Sequence, residues 1–222
     1  CYGQEVPPAP PLPVAAGQIK ILTFNVNFGG KDMDRSAAVL RAANADVVAL
    51  QETTPAWEQH LRRKLGDRYS EMHFLHRRGA GGMAFLSRHP ITDLGRYPPP
   101  QGGWFPAWAI EARTPLGALT VLNLHLRPPV PERGRASIVL SSFFTTRPVH
   151  ARELRSHLGR LAGRRPHLVL GDLNEPEDGS ATRALEGRGL RSALAQHDRT
   201  TPTWRWPTAF GHLNLRLDHI YH

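Results

Sequence analysis

The amino-acid sequence predicts a layered α/β or α+β domain, because short apolar strand segments outnumber helical ones and the two kinds alternate along the chain. Two further observations point to one packed unit. At 222 residues the chain suits a single domain with a sizeable core. Its apolar content of 40 %, with five Trp and eight Phe, is that of a folded chain rather than a disordered one. No stretch approaches the roughly 20 apolar residues that a helix needs to cross a bilayer.

Residues 1–18 read as a linker. They carry Pro7, Pro8, Pro10, Pro11 and Pro13, and Glu5 is their only charged residue. The domain proper spans 19–222. Cys1 is the only cysteine, which excludes an internal disulfide and a thiolate zinc site. A chain beginning at Cys with a Pro-rich spacer resembles a bacterial lipoprotein after removal of its signal peptide. The expectation is an extracytoplasmic protein, periplasmic or tethered to the outer membrane through a lipid on Cys1. A fragment boundary that falls on Cys gives the same pattern.

Ile19–Val26 reads as a buried strand that exits at Asn25, Asn27 and Gly29-Gly30. Asp34–Ala43 is helical, with Ala37, Ala38 and Leu40 suited to a packed face. Asp46–Leu50 is a second apolar strand, running into Gln51-Glu52-Thr53. Pro55–Leu65 is a helix with proline in its first turn. Shorter strands follow near Met72–Leu75, Met83–Leu86, Ala107–Ala112 and Leu119–Leu126, separated by Gly- and Pro-rich turns. Gly79, Gly81 and Gly82 lead into one of these strands and lack P-loop spacing. Val149–Leu161 reads as a basic amphipathic helix with Val149, Leu154, Leu158 and Leu161 on its apolar side. Leu168–Leu170 and Leu215–Tyr221 are the remaining strands.

Five of these strands deliver a chemically capable residue at or just past an end: Asn25, Glu52, His125, the pair Asp172 and Asn174, and Asp218. In HLVLGDLNEPEDG, Asp172 and Asn174 stand two positions apart, so an extended backbone turns both to one side. One such case is a turn or a satisfied core polar group. Five are hard to assign to chance, since burying polar groups without partners costs free energy. Strand ends are also where layered α/β enzymes assemble sites. These residue types suit metal-assisted phosphodiester hydrolysis. Mg²⁺ (or Mn²⁺) takes few hard oxygen ligands and keeps its waters. Glu52 suits the principal metal carboxylate, with Asn25 holding that carboxylate or the metal's water. Asp172 suits orientation or deprotonation of water, and Asn174 and His125 suit hydrogen bonds to phosphate oxygens. Neither zinc-type spacing nor a GxSxG elbow occurs.

The ordered set FNVN, QET, GGMAFLSRHPI, LNLHL, GDLN, TW and RLDHI resembles the endonuclease/exonuclease/phosphatase superfamily. That superfamily includes pancreatic-type deoxyribonuclease, apurinic endonucleases, neutral sphingomyelinases and inositol polyphosphate phosphatases. The match runs from Ile19 to the end of the chain in the family's order. The resemblance implies a four-layered α/β sandwich of two packed mixed β-sheets flanked by helices, divalent-metal dependence and cleavage of a phosphate ester. It matches Asn25 and Glu52 to the metal-site pair, His125 to the phosphate-side histidine, and Asp172 and Asn174 to the water-orienting and transition-state pair. Asp218 matches the strand carboxylate that orients a histidine donated from elsewhere.

The family's catalytic histidine normally follows in a Ser-Asp-His segment with a last strand after it, and no such segment precedes His222. Three expectations stand side by side: a missing C-terminal part; substitution by His219, His222 or His212; or a domain that only binds. Adjacent strand residues face opposite sides, so Asp218 and His219 are not expected to act on one site. The corresponding expectations are very slow hydrolysis by a chain ending at His222, a raw sheet edge beside the last strand, and low stability.

The net charge of +9 and pI near 10.7 favour polyanionic partners, although 25 of the 28 basic residues are Arg, a bias that coding composition also produces. The expected partner is a phosphate-ester substrate, with nucleic acid favoured over phospholipid, acted on by a monomer. Asn27, Arg127 and Trp204 are the substrate-binding candidates. Trp204 and Trp206, with Trp104, Phe105 and Trp108, either form a rim that stacks on bases or enters lipid, or simply pack in core and hairpin; packing is the favoured reading. The arginines of segment 147–165 either track a phosphate backbone or form a solvated helix face, and the loop 127–137 is expected to border the substrate groove.

Overall fold

The computed structural model describes residues 17–30, 32–128, 139–198, 200–208 and 211–222. The tether reading at Cys1 and nearly all of the loop expected beside the groove lie outside them.

The first sheet contains β1 (Ile21–Asn25), β2 (Val47–Gln51), β3 (Glu71–Leu75) and β4 (Met83–Ser87) in the order β1-β2-β4-β3. β1 and β2 run parallel and the other pairings are antiparallel. Helix α1 (Met33–Ala43) is the crossover between the parallel strands β1 and β2, α2 (Pro55–Leu65) connects β2 to β3, and both cover the sheet's outer face. Each starts at a side-chain cap: Asp32 accepts from Arg35 N and Thr54 from Trp57 N, which satisfies amides with no helical partner.

The second sheet contains β5 (Ile91–Tyr97), β6 (Ala107–Thr114), β7 (Gly117–His125), β8 (Leu168–Asp172) and β11 (Asp218–Tyr221), in the order β11-β8-β7-β6-β5. Only β7 and β8 run parallel, joined by α3 (Val139–Gly159). Helices α4 (Ser180–Glu186) and α5 (Ala193–His197) follow β8, and then comes the separate hairpin β9 (Trp204–Thr208) and β10 (Gly211–Leu215).

Three apolar layers separate four structural ones. Val48, Leu50, Ala84 and Leu86 face Leu40, Trp57, Leu61 and Leu65 of the first helices. The opposite faces of the same strands, through Val47, Ala49, Met83 and Phe85, meet Trp108, Ile110, Val121, Leu168 and Leu170 between the sheets. On the far side, Ala109, Leu122, Leu124 and Val169 pack against Leu154, Leu161, Ala181 and Leu185. This is the expected four-layered sandwich with two mixed sheets. Central strands buried on both faces explain why VVALQ and LVLGD read as unbroken apolar runs.

Several expected boundaries need correction. The helix expected over Val149–Leu161 begins ten residues earlier, carries Pro148 inside it and ends at Gly159. The strand expected over Leu215–Tyr221 is two strands, broken at Arg216-Leu217. The last strand is the edge of its sheet, as expected, and that edge is covered at its C-terminal end alone: Ser192 bridges Tyr221, and Arg191 and His222 exchange backbone hydrogen bonds of 2.8 and 3.0 Å. Trp108 is a core residue, edge-on to Phe85 at 5.3 Å, which settles its part of the proposed aromatic rim as packing.

Candidate active site at the converging strand ends

Parallel pairing places the ends of β1 and β2 side by side, and likewise those of β7 and β8. The register aligns Asn25 with Gln51, the residue before Glu52, and His125 with Asp172. The antiparallel β11 brings the start of its strand to the same place, with Asp218 opposite Asp172. Two glycines permit the close approach. A Cβ on Gly171, whose φ is +130°, would lie 1.9 Å from Leu124 O. A Cβ on Gly82 would lie 1.8 Å from Thr53 O, immediately after Glu52.

Asn25 links the two sheets. Its Nδ2 donates to Glu52 Oε1 at 2.9 Å and to Asp172 Oδ2 at 3.0 Å, while its Oδ1 accepts from Asn27 N. The amide hydrogens, not the oxygen, therefore face the carboxylates, so Asn25 orients Glu52 and Asp172. Phe28 N donates to the other Glu52 oxygen at 3.0 Å. Asp172 Oδ1 accepts from Asn174 N, and Asn174 Nδ2 donates to Leu126 O at 2.8 Å. Three of the five non-glycine residues with positive φ among the described residues, Asn27, Glu52 and Asn174, belong to this cluster. Such backbone is costly outside glycine and survives where the surroundings impose it.

The electrostatics are unusual. Burial pushes the Asp172 carboxyl well above the usual carboxylate range, and the charges of Asp218 and Glu52 add to the effect. Asp218 is pushed up to about 6, first by burial and then by Glu52, against the Thr203 hydroxyl that favours its charged form. His125 is held neutral, pushed down to about 3 by burial. Its Nε2 lies 3.8 Å from Glu52 Oε1 and 3.9 Å from Asp172 Oδ2, beyond hydrogen-bonding range. Phe105 stacks on the ring at 3.9 Å between centroids.

Of the three proposed substrate contacts, Asn27 forms the exposed turn after β1, its carbonyl held by Trp57 Nε1 and Gly30 N. Arg127 lies over the Trp104 ring at 4.7 Å and donates to Gly102 O. Trp204 is partly buried on β9, next to Thr203, whose hydroxyl accepts from Leu217 N and Asp218 N. His219 turns away from Asp218: it is buried and bonded to Glu175 O at 2.9 Å. His222 is exposed and pairs with Gln196, and His212 is exposed on β10. Among the described histidines, His125 is the one that these contacts bring to the acidic cluster.

Four residues near the site escaped the sequence reading. Phe28 is 51 % exposed beside Glu52, and Glu153, His150 and Glu175 lie buried behind the cluster. A signal for two of them existed: His150 and Glu153 fall at helical spacing with the apolar Leu154 and Leu161, which places polar groups on a buried face.

Among the described residues no group of three or more His, Cys, Asp or Glu is arranged to hold a metal ion. The donor set nonetheless fits a hard divalent cation that keeps most of its waters, since one or two carboxylates suffice for Mg²⁺. Crowding of Glu52, Asp172 and Asp218 is the charge arrangement that such a cation relieves.

A sequence-family profile described as the Endonuclease/Exonuclease/phosphatase family matches residues 22–222. No match was found among curated protein sequences. Similar solved structures include TDP2 from C. elegans, at 17 % identity and a TM-score of 0.64, with 91 % of this chain and 64 % of that one covered. The chain thus spans just under two thirds of that relative. SmcL superposes with a TM-score of 0.69 at 18 % identity, covering 92 % of this chain and 83 % of the other. Sphingomyelinase C from Streptomyces griseocarneus gives 0.61 at 19 % identity, with the same coverages of 92 % and 83 %. At such identities these likenesses show the fold.

Proposed function

The chain belongs to the Endonuclease/Exonuclease/phosphatase family, and from that premise we propose that it is a divalent-metal-dependent phosphodiester hydrolase of the endonuclease type. The observation that carries the proposal is the Asn25 amide bridging Glu52 and Asp172 across the two sheets, beside the neutral His125.

In this reading Glu52 holds the cation, which supplies Lewis-acid polarisation of a phosphate oxygen when bound. Asn25 fixes the relative positions of the two carboxylates. Asp172, made more basic by burial and by its acidic neighbours, orients a water and accepts its proton as the water oxygen bonds to phosphorus; the P–O bond to the leaving alkoxide breaks, and solvent water returns a proton to that oxygen. Asn174 gives one amide hydrogen to Leu126 O and directs the other at a non-bridging oxygen. His125 donates to the same group as an uncharged ring, so it adds no positive charge that the carboxylates would neutralise. Asp218 strengthens Asp172 as a base through its charge. The excess of arginine favours nucleic acid over phospholipid as the substrate.

The test is nicking of supercoiled DNA and hydrolysis of bis(p-nitrophenyl) phosphate in Mg²⁺, with EDTA and Glu52→Gln as controls. Turnover is expected to be slow, because no second imidazole reaches the cluster among the described residues, so the ratio to the variant is the readout. A drop on the order of 100-fold or more in Glu52→Gln is expected. Equal rates in the two proteins would remove the proposal. Release of choline phosphate from sphingomyelin, with no action on DNA, would move the substrate to lipid.

A further inference from the structure

Behind the cluster, α3 grips the peptide groups of Arg127, two residues past His125. Glu153 Oε2 accepts from Arg127 N at 3.2 Å, and His150 Nε2 lies 2.6 Å from Arg127 O. The other ring nitrogen of His150, Nδ1, lies 2.9 Å from Glu175 Oε2. A carbonyl only accepts, so Nε2 donates to Arg127 O, while Nδ1 shares a hydrogen with the Glu175 carboxyl group.

Glu175 directly follows Asn174 and is itself fixed on every side. Its carboxylate accepts from Ser180 N, Ala181 N and Thr182 N at 3.1, 2.6 and 2.8 Å, in the first turn of α4. Its carbonyl accepts from His219, the neighbour of Asp218. His150 and Glu175 are almost wholly excluded from solvent, where a paired charge is strongly coupled and an unpaired one is costly. One ring therefore spans the exit of β7, which carries His125, and the exit of β8, which carries Asp172 and Asn174.

We propose that His150 is a positioning residue whose bond to the Arg127 carbonyl sets the place of His125 relative to Asp172, with Glu175 as its fixed anchor. This rests on the function proposed above, in which His125 meets the phosphate. Three substitutions separate the two bonds. The glutamine amide in His150→Gln lies where Nε2 does and keeps a donor for Arg127 O. The asparagine amide in His150→Asn lies where Nδ1 does and keeps only the Glu175 bond. His150→Leu keeps neither.

The experiment measures kcat and KM for bis(p-nitrophenyl) phosphate in Mg²⁺, at a temperature where urea melts show all the variants folded, together with the ¹H–¹⁵N ring signals of His125. Misplacement of a reacting group by about 1 Å costs on the order of 100-fold. His150→Asn and His150→Leu are therefore expected to lower kcat by roughly 10- to 100-fold at nearly constant KM and to shift the His125 signals. His150→Gln is expected to stay within about threefold of wild type, with those signals unmoved. Equal kcat in the Gln and Asn variants, or unmoved His125 signals in His150→Leu, overturns the assignment. If the wild type itself fails to hydrolyse, the functional reading falls, and the His125 signals still decide the positioning role.

Discussion

Protonation of His157 should make the fold sensitive to acid. The ring is wholly buried on α3, and neither nitrogen has a hydrogen-bond partner among the described residues. Burial, with a smaller effect of Arg160, pushes it down to about 4 from 6.5. The folded-state value thus lies below the unfolded one. Above pH 6.5 the ring is neutral in both states and no stability is lost. As pH falls from 6.5 toward 4, the unfolded chain takes up a proton that the folded one refuses, and stability declines. At 1.36 kcal/mol per unit, the 2.5-unit gap amounts to about 3 kcal/mol in full, and about 2 kcal/mol of that is spent between pH 7 and pH 5. The perturbation is His157→Leu, which fills the space without a titrating group. Urea melts at pH 7 and pH 5 on both proteins give the double difference, from which other titrating groups cancel. Wild type should lose about 2 kcal/mol more than the variant, or about 4–8 °C in Tm for a domain of this size. Identical losses in both proteins would refute the reasoning.

Asp218→Asn should abolish hydrolysis yet stabilise the protein in EDTA. The raised folded-state value near 6 means that wild type matches the variant in strong acid and falls behind it as pH rises from 3.8 through 6, which thermal melts against pH will show. Gly171→Ala should prevent soluble folding or cost several kcal/mol, because both its positive φ and the Leu124 carbonyl oppose a Cβ; chemical denaturation checks this. Phe105→Leu removes the ring stacked on His125 and should lower kcat by about tenfold with a stability loss of about 1–2 kcal/mol, measured by kinetics and urea melts in parallel.

The legible parts of the chain were those in which burial dictates sequence. β2 and β8 are buried on both faces and read as apolar runs, and the polar residues at their exits stood out against them. β5 was not legible: ITDLGRY alternates irregularly, and its register shifts at Asp93/Gly95. α4 and α5, at seven and five residues, are too short for a periodic signal. The break at Arg216-Leu217 was hidden by an apolar pattern that runs through it, and what ends β10 there is the Thr203 hydroxyl taking the Leu217 and Asp218 amides. Within the site, residue types announced Glu52, His125 and Asp172, but the direction of the Asn25 amide was not readable. That direction depends on two carboxylates from different strands arriving together. The His150–Glu175 pair was equally hidden, since an acid in NEPEDG reads as a turn and a histidine in a basic helix reads as surface.

The central claim is that residues from separate strand ends act as one catalytic unit, and coupling between Glu52 and Asp172 tests it most directly. Rates of bis(p-nitrophenyl) phosphate hydrolysis in Mg²⁺ are measured for wild type, Glu52→Gln, Asp172→Asn and the double variant. Members of one unit are grossly non-additive, so the double variant should be about as slow as the worse single one. Losses that multiply would show two independent contributions and contradict the account.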